Sequence, residues 1–254
     1  MPLKPKDIVD KFQADSEENA KRCRDIVKRK IESILSLSGI TENLHDRVEH
    51  IYQRARNKLA NTIHISINLR PNRFLKMVKG NILPVDKQEN QYDQLFRDNI
   101  ESIWVADKSL RPVYGALNWE CVKGGAPMFG GDLWLELKRY VMESGTTFSA
   151  RDSYNIVLPF LSNFDKILAE NKLRAETYCW DGILDQCLER FWIIQDLRGA
   201  EYIEAQIWRP VRLEDVEAVH IRESHCPRLI AEIRKIPITT KCQNNILAIF
   251  KTFT

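Results

Sequence analysis

Two glutamates stand three residues apart in the stretch EYIEAQIWRP, which begins at Glu201. Apolar and polar residues alternate along it, which is typical of a β-strand whose successive side chains point to opposite faces. Glu204 then shares one face with Tyr202 and Gln206, away from the apolar residues. A carboxylate on such a face can stabilise positive charge that develops in a reaction. We therefore take Glu204 as the candidate catalytic residue and expect Glu201 at the solvated start of the strand. The alternative is that Glu204 only decorates an exposed sheet face.

A second alternating segment, TIHISINLR, supplies a cationic side chain at its end. Its isoleucines and leucine alternate with polar residues, so one face of this strand is apolar and the other is polar. Pro71 has no N–H to donate and must end the regular pairing. Arg70 is therefore expected at the very end of the polar face, where a forked, permanently charged guanidinium can form two hydrogen bonds at once.

The segments around these candidates predict a mixed α+β fold. Helical spacing of apolar residues and helix-end signals predict helices over 15–38 and 43–60, with Asp15 or Ser16 as the N-cap of the first. We expect these helices to form an N-terminal module over residues 1–60.

The remainder of the chain predicts short strands and further helices. Glycine and proline separate short apolar runs in LRPVYGALN and GGAPMFGGDLWLELKRYV, which favours short strands. Residues 155–197 are expected to be mainly helical, and LEDVEAVHI predicts a turn followed by a strand. The helical segment contains one predicted buried stripe, made of Leu184, Cys187, Leu188 and Phe191.

Composition excludes several classes of protein. The chain of 254 residues has 38 basic and 35 acidic residues, and its net charge of +3 gives no field that demands nucleic acid or an anionic membrane. No apolar run approaches the roughly 18–20 residues that cross a bilayer, and the N-terminus lacks the apolar core of a cleaved signal peptide. The six cysteines show no CxxC pair and no zinc-like spacing with histidine, so we expect reduced thiols and no metal.

Four ordered blocks carry a resemblance to a known family. They are INLRPNR, which ends at Arg73, then RPVYGALN (111–118) with GGAPMFGG (124–131), GTTFSARDS (145–153) and YIEAQIWRPVRLEDVEAV (202–219). Together they resemble the motifs of a bacterial family first catalogued as a domain of unknown function, which is itself similar to mono-ADP-ribosyltransferases. The resemblance covers about residues 60–222 and extends to the bacterial effectors called CHARM, or CteC-like, which modify a threonine of ubiquitin.

The resemblance implies a fold and an activity. The fold would be an ADP-ribosyltransferase-like split β-sandwich around an NAD cleft, with residues 61–254 as the catalytic domain and a helical insertion at about 155–198. The substrate would be NAD+, and the acceptor a threonine of a host protein, with ubiquitin as the leading acceptor and blocked ubiquitination as the result. The protein would be a bacterial effector that is delivered without a cleaved signal peptide and acts in the host cytosol. We expect a monomer with neither nucleic acid nor membrane as partner.

The resemblance also implies roles for individual residues. Glu204 would stabilise the positive charge that develops on the ribose as nicotinamide leaves. Strand parity favours Arg70 as the NAD-binding arginine, whereas motif matching supports Arg73, and both stay candidates. Thr146, Thr147 and Ser149 would supply the hydroxyl motif, in which Thr147 or Ser149 holds the site's geometry by hydrogen bonds to backbone or cofactor. The expected catalytic residues are Glu204, Arg70 and Thr147. The full set expected to bind NAD is Arg70, Arg73, Tyr114, Gly115, Phe129, Gly130, Thr146, Thr147, Phe148 and Ser149.

Two further features concern the acceptor. Many arginine-modifying transferases carry a second Glu or Gln two positions before the catalytic glutamate, but this chain has Tyr202 there, which favours a hydroxyl acceptor. The helical insertion precedes the catalytic strand and is suitably placed to recognise a protein. The candidate acceptor contacts are Phe191, Trp192, Asp196 and Tyr202.

Two alternatives from other classes stay open. The protein could be an NAD glycohydrolase that uses water as the acceptor, or a binding module that kept the fold and lost catalysis. A nucleophilic pair of Cys226 with His220 or His225 is not favoured, because nothing upstream resembles a cysteine-hydrolase signature.

Overall fold

The computed structural model describes residues 5–83, 98, 101–102, 111–118, 133–161, 165–193, 202–237 and 240–253. This part of the chain contains ten α-helices, eight strands and two short 3-10 turns, so the predicted α+β class is confirmed. The helices are α1 (Pro5–Lys11), α2 (Gln13–Leu37), α3 (Leu44–Thr62), α4 (Pro71–Gly80), α5 (Arg139–Glu143), α6 (Ser153–Leu161), α7 (Lys166–Ala175), α8 (Trp180–Ile193), α9 (Cys226–Arg234) and α10 (Thr240–Ala248). The strands are β1 (Ile65–Leu69), β2 (Val113–Leu117), β3 (Leu133–Leu137), β4 (Thr146–Ser149), β5 (Thr177–Tyr178), β6 (Ile203–Ile207), β7 (Val216–Arg222) and β8 (Phe250–Phe253).

All eight described strands belong to one sheet, in the order β5-β4-β6-β2-β1-β3-β7-β8. Neighbouring strands are antiparallel except for β7 and β8, which are parallel. The split β-sandwich implied by the resemblance has two sheets, whereas the described strands form a single continuous one. β6 lies between β4 and β2. The strand with the predicted hydroxyl residues, β4, which we call the hydroxyl strand, is therefore a direct neighbour of β6, which carries Glu204.

The two faces of this sheet differ in chemistry. Residues that stand opposite each other in paired antiparallel strands project to the same face. One such row runs through Ser149, Glu204, Ala116, Ser66 and Glu136. We call the face that carries this row the polar face, and the opposite one the apolar face.

The main hydrophobic core lies on the apolar face. Ile65 and Ile67 of β1 are buried there, as the alternation in TIHISINLR predicts. Helices α2, α4, α8 and α9 cover this face, and each contributes a buried side chain to the core: Cys23, Met77, Leu184 and Ile233, respectively.

A smaller core covers part of the polar face. Trp208 directly follows β6 and is buried against Ile156 and Val157 of α6 and Leu173 of α7. The indole N–H of Trp208 donates to Oγ1 of Thr147 at 2.9 Å, so Trp208 lies on the polar side of β4. Helices α6 and α7 therefore cover the polar face where β4 and β6 run side by side.

The predicted N-terminal helices are confirmed as α2 and α3, but the predicted N-caps are wrong. Helix α2 begins before Asp15 and Ser16, with Phe12 at the N-cap position and no side-chain cap hydrogen bond. Asp15 instead forms an ion pair with Arg174 at 2.6 Å, and Oγ of Ser16 accepts the backbone N–H of Cys179 at 2.8 Å. Both side chains tie α2 to the segment around β5.

Helix α8 carries the predicted buried stripe with one exception. Leu184, Cys187 and Leu188 are buried, but Phe191 is 65% exposed, so its assignment to the stripe is wrong. The helix packs against α2, and Cys23 of α2 belongs to the main core of the sheet. The N-terminal helices therefore share a core with the sheet, and a domain boundary at residues 60 and 61 stays a prediction.

Candidate active site

Glu204 lies on the polar face of β6, the third of the eight described strands from the β5 edge. Its neighbours across the strands are Ser149 of β4 and Ala116 of β2. The predicted division of faces is thus correct, but the side chain is only 6% exposed, so the alternative of a solvated surface glutamate is wrong. A carboxylate is rarely buried unless it is hydrogen-bonded or paired with a charge, so its partners decide what it can do.

Two neutral groups hold one oxygen of the Glu204 carboxylate. The hydroxyl of Ser153 donates to Oε1 at 2.5 Å, and Nε2 of Gln206 donates to the same oxygen at 2.7 Å. Ser153 is the first residue of α6, and both donors are buried. Hydrogen bonds to a charged acceptor are stronger than neutral ones, so the orientation of Glu204 is well fixed.

The predicted hydroxyl residues of β4 hold Gln206. Its Nε2 also donates to Oγ of Ser149 at 3.0 Å, and its Oε1 accepts the hydroxyl of Thr147 at 3.1 Å. Thr147 in turn accepts the indole N–H of Trp208. Thr147 and Ser149 are both fully buried, so these hydroxyls position Glu204 through Gln206. These contacts suit a residue that holds the geometry of the site, and a catalytic role of Thr147 stays a prediction.

Tyr202 lies between Glu204 and a second carboxylate. Its hydroxyl oxygen is 3.1 Å from Oδ2 of Asp152 and 3.5 Å from Oε2 of Glu204. Oδ1 of Asp152 accepts the backbone N–H of Tyr154 at 2.9 Å, which caps the first turn of α6. Asp152 and Tyr202 are both half-buried. The predicted acceptor residue Tyr202 is therefore part of the Glu204 site.

The candidate arginines lie at the far end of β1 from Glu204. Arg70 is exposed at the N-cap of α4, with the same parity as Ser66 on the polar face, and Arg73 is half-buried in the first turn of that helix. Arg70 is four residues beyond the row of Glu204 and two strands away. At about 3.3 Å per residue and about 4.8 Å per strand, this is roughly 13 Å along the strands and 10 Å across them. Both arginines stay candidates.

Of the other residues expected to contact NAD, Tyr114 is the only one within the described ranges that is brought towards Glu204. It stands opposite Gln206 on the polar face, and its hydroxyl donates to Glu101 at 3.3 Å. Gly115, Thr146 and Phe148 lie on the apolar face instead. A Cβ on Gly115 would be 2.9 Å from Cγ2 of Ile65, Thr146 donates to the carbonyl of Val141 at 2.6 Å, and Phe148 is buried in the main core.

Several predicted site residues lie outside the described part of the chain. These are Phe129 and Gly130 of the glycine-rich segment, Asp196 of the insertion and Glu201. Trp192 belongs to α8, but its side chain is outside the description as well. The exposed ring of Phe191, on the same helix, is compatible with contact to another protein.

A second cluster of titratable groups occupies the other half of the polar face. The ring of Trp134 is stacked between His64 and His220, with centroid distances of 5.6 Å and 3.6 Å. Burial lowers the pKa of His64, and its Nε2 lies 3.1 Å from the Asn118 amide nitrogen. A hydrogen bond from His220 at 2.7 Å lowers the pKa of Glu136 to about 2.

Four residues of the Glu204 site carried no predicted role: Asp152, Ser153, Gln206 and Trp208. A signal existed for two of them, because the dipeptide Asp152-Ser153 follows a strand and precedes an apolar run, as N-cap residues do. Gln206 shares the strand parity of Glu204, which also placed it on the correct face. Contact between Ser153 and Glu204 depends on how β4 pairs with β6, which spacing alone does not give.

Comparisons with protein-family models and with curated proteins find no match to this chain. None of the helices in the described residues is long and apolar enough to cross a membrane. Within the same residues, no three His, Cys, Asp or Glu side chains come together in an arrangement that could hold a metal ion.

Proposed function

We propose that the protein is a mono-ADP-ribosyltransferase that moves ADP-ribose from NAD+ to a hydroxyl group of a protein, with a threonine of ubiquitin as the leading acceptor. The observation that supports this most is the state of Glu204. Its carboxylate is buried, lies beside the hydroxyl strand, and is held by Ser153 and Gln206. Both donors are neutral groups, and they fix the orientation of the carboxylate.

The chemistry of NAD+ cleavage needs such a carboxylate. As the bond between nicotinamide and ribose breaks, positive charge develops on the ribose ring, as it does in glycoside cleavage. At about 4 Å and an effective dielectric constant of about 20, a carboxylate stabilises such a charge by about 4 kcal/mol. That energy corresponds to about a thousandfold in rate. Because Glu204 is already oriented by two donors, little reorganisation is needed when the charge appears.

The separation between Glu204 and the arginines suits an elongated substrate. A dinucleotide that lies beside the cover formed by α6 and α7 would present its ribose to Glu204, pass Tyr114, and bring its diphosphate towards Arg70 or Arg73. A guanidinium binds two phosphate oxygens at once, which favours arginine over lysine for this role. In this proposal the described sheet forms one wall of the NAD cleft of an ADP-ribosyltransferase-like split β-sandwich.

The resemblance supports the remaining parts of the proposal. Threonine of ubiquitin as acceptor, blocked ubiquitination, a bacterial effector and action in the host cytosol all follow from the similarity to CHARM effectors. Tyr202 in place of a second Glu or Gln also favours a hydroxyl acceptor.

The test is transfer by the Glu204→Gln variant. Ubiquitin and NAD+ are incubated with the protein, intact-protein mass spectrometry follows the addition of one ADP-ribose, and nicotinamide release is measured in parallel. We expect Glu204→Gln to fold normally and to lose about a thousandfold in rate, because the charge is removed while the volume is kept.

Glu136→Gln is the matched control. Glu136 belongs to the same row of the same face, three strands from Glu204, and its replacement should leave transfer intact. A Glu204→Gln variant that transfers at the wild-type rate would exclude the role of Glu204. Nicotinamide release without ADP-ribose on any protein would indicate a glycohydrolase. Binding of a partner protein that does not depend on NAD+ would indicate a binding module.

A further inference from the structure

The transfer reaction needs a second group that the role of Glu204 does not supply. An acceptor hydroxyl that bonds to the ribose carbon must lose its proton, and the rate gains when a nearby base takes it. Ser153 and Gln206 already donate to Oε1 of Glu204, so this oxygen is engaged by the protein itself. A base for the acceptor should therefore lie beside Glu204, closer to solvent.

Asp152 meets this requirement by position. It precedes α6, on the side of Glu204 where the Tyr202 hydroxyl stands between the two carboxylates. It is half-buried, whereas Glu204 is buried, so an acceptor that arrives from solvent meets Asp152 first. Its orientation is fixed because Oδ1 accepts the backbone N–H of Tyr154 at 2.9 Å.

The single hydroxyl hydrogen of Tyr202 gives the carboxylates of Asp152 and Glu204 different surroundings. A tyrosine hydroxyl has one hydrogen and can donate it to one acceptor at a time. At 3.1 Å, Oδ2 of Asp152 is the nearer acceptor, and Oε2 of Glu204 is 3.5 Å away. Two carboxylates in different surroundings around one shared hydroxyl are suited to different tasks.

We infer that Asp152 is the general base for the acceptor hydroxyl, and that Tyr202 connects it to Glu204. This inference rests on the proposed transfer function. In the step, the acceptor oxygen forms a bond to the ribose carbon and the bond from that carbon to nicotinamide breaks. Nicotinamide leaves as a neutral molecule with the bonding electrons. The hydroxyl proton passes to the carboxylate of Asp152, while Glu204 stabilises the charge on the ribose.

The experiment compares Asp152→Asn with wild type in the full chain, with NAD+ and ubiquitin as substrates. Asparagine also caps helices, so Oδ1 can still accept the N–H of Tyr154 and the fold should be kept. We expect kcat for transfer to fall about 100-fold or more, the usual contribution of a general base, while KM for NAD+ stays within about twofold. A variant with wild-type kcat would overturn the assignment.

A second variant separates chemistry from structure. Asp152→Ser keeps a capping oxygen and leaves space for a small carboxylate, so added formate should restore part of the transfer rate while equal sodium chloride should not. Absence of rescue in a variant that is folded and binds NAD+ would count against Asp152 as the base.

Nicotinamide release by the wild-type protein, measured with and without ubiquitin, distinguishes failure of the proposed function from failure of the role of Asp152. If wild type releases no nicotinamide in either case, the proposed function fails and the role of Asp152 fails with it. If wild type is active and Asp152→Asn matches it, only the role of Asp152 fails.

Discussion

The hydrogen bond from Ser153 to Glu204 leads to a quantitative prediction. Ser153→Ala removes a buried donor at 2.5 Å from a carboxylate and leaves Gln206 as the remaining described donor to that oxygen. A hydrogen bond to a charged group contributes about 1.5–3 kcal/mol. The helix itself should tolerate alanine at its first position, because Asp152 supplies the cap. We therefore expect the free energy of unfolding to fall by about 1.5–3 kcal/mol.

The assay is thermal unfolding followed by circular dichroism. For a chain of this length, about 1 kcal/mol shifts the midpoint by roughly 2–4 °C, so Ser153→Ala should unfold about 3–12 °C below wild type. Ser144→Ala is the matched control, because it removes an exposed hydroxyl that donates to the carbonyl of Tyr140 at 2.8 Å. Surface changes of this kind cost within about 0.5 kcal/mol. If Ser153→Ala and Ser144→Ala unfold together, Ser153 does not hold Glu204 as described.

Two further predictions concern the sheet. Gly115→Ala should lower the free energy of unfolding by about 1–3 kcal/mol, because its Cβ would meet Cγ2 of Ile65 at 2.9 Å and the carbonyl oxygen of Ser66 at 3.0 Å. Gly80→Ala is the control and should not lower the free energy of unfolding in this way, because its Cβ meets nothing within 4 Å. Equal urea midpoints for the two variants would contradict the close packing at Gly115. Burial lowers the pKa of His64 below its ordinary value of 6.5 in the folded protein. As pH drops below 6.5, the unfolded chain binds a proton at His64 more readily than the folded chain does, so the free energy of unfolding should fall. Urea midpoints at pH 7.5 and 5.5 measure the effect, and an unchanged slope in His64→Gln would refute it.

Strand parity in the sequence was sufficient to predict the face of Glu204. The same rule also places Gly115 and Phe148 on the opposite face from Glu204. Gly115 has the same parity as Val113 and Leu117 in VYGAL, and Phe148 is the apolar residue of TTFS, so parity assigns both to the apolar face. Family motifs placed them near NAD, because a motif marks a segment of chain and does not separate its two faces.

Pairing between distant segments could not be predicted from the sequence. Contact of Ser153 and Asp152 with β6 requires that β4 pairs with β6 and that Ser149 stands opposite Glu204. Spacing within one segment does not determine its register against another, since many strand pairings satisfy the same alternation. The buried state of Glu204 depends in turn on α6 and α7, which cover this part of the sheet.

The contacts between α2 and β5 have a consequence for association between copies of the chain. β5 is the last strand of the described sheet, and an open strand edge can pair with a strand from another molecule. Here, Asn19 of α2 donates to the backbone carbonyl of Thr177 at 3.0 Å, and Ser16 accepts the backbone N–H of Cys179. Helix α2 thus provides through side chains the hydrogen bonds that a further strand would provide through its backbone. A truncated chain that lacks α2 would expose the free edge of β5, next to β4. Pairing of this edge with another molecule would then compete with refolding.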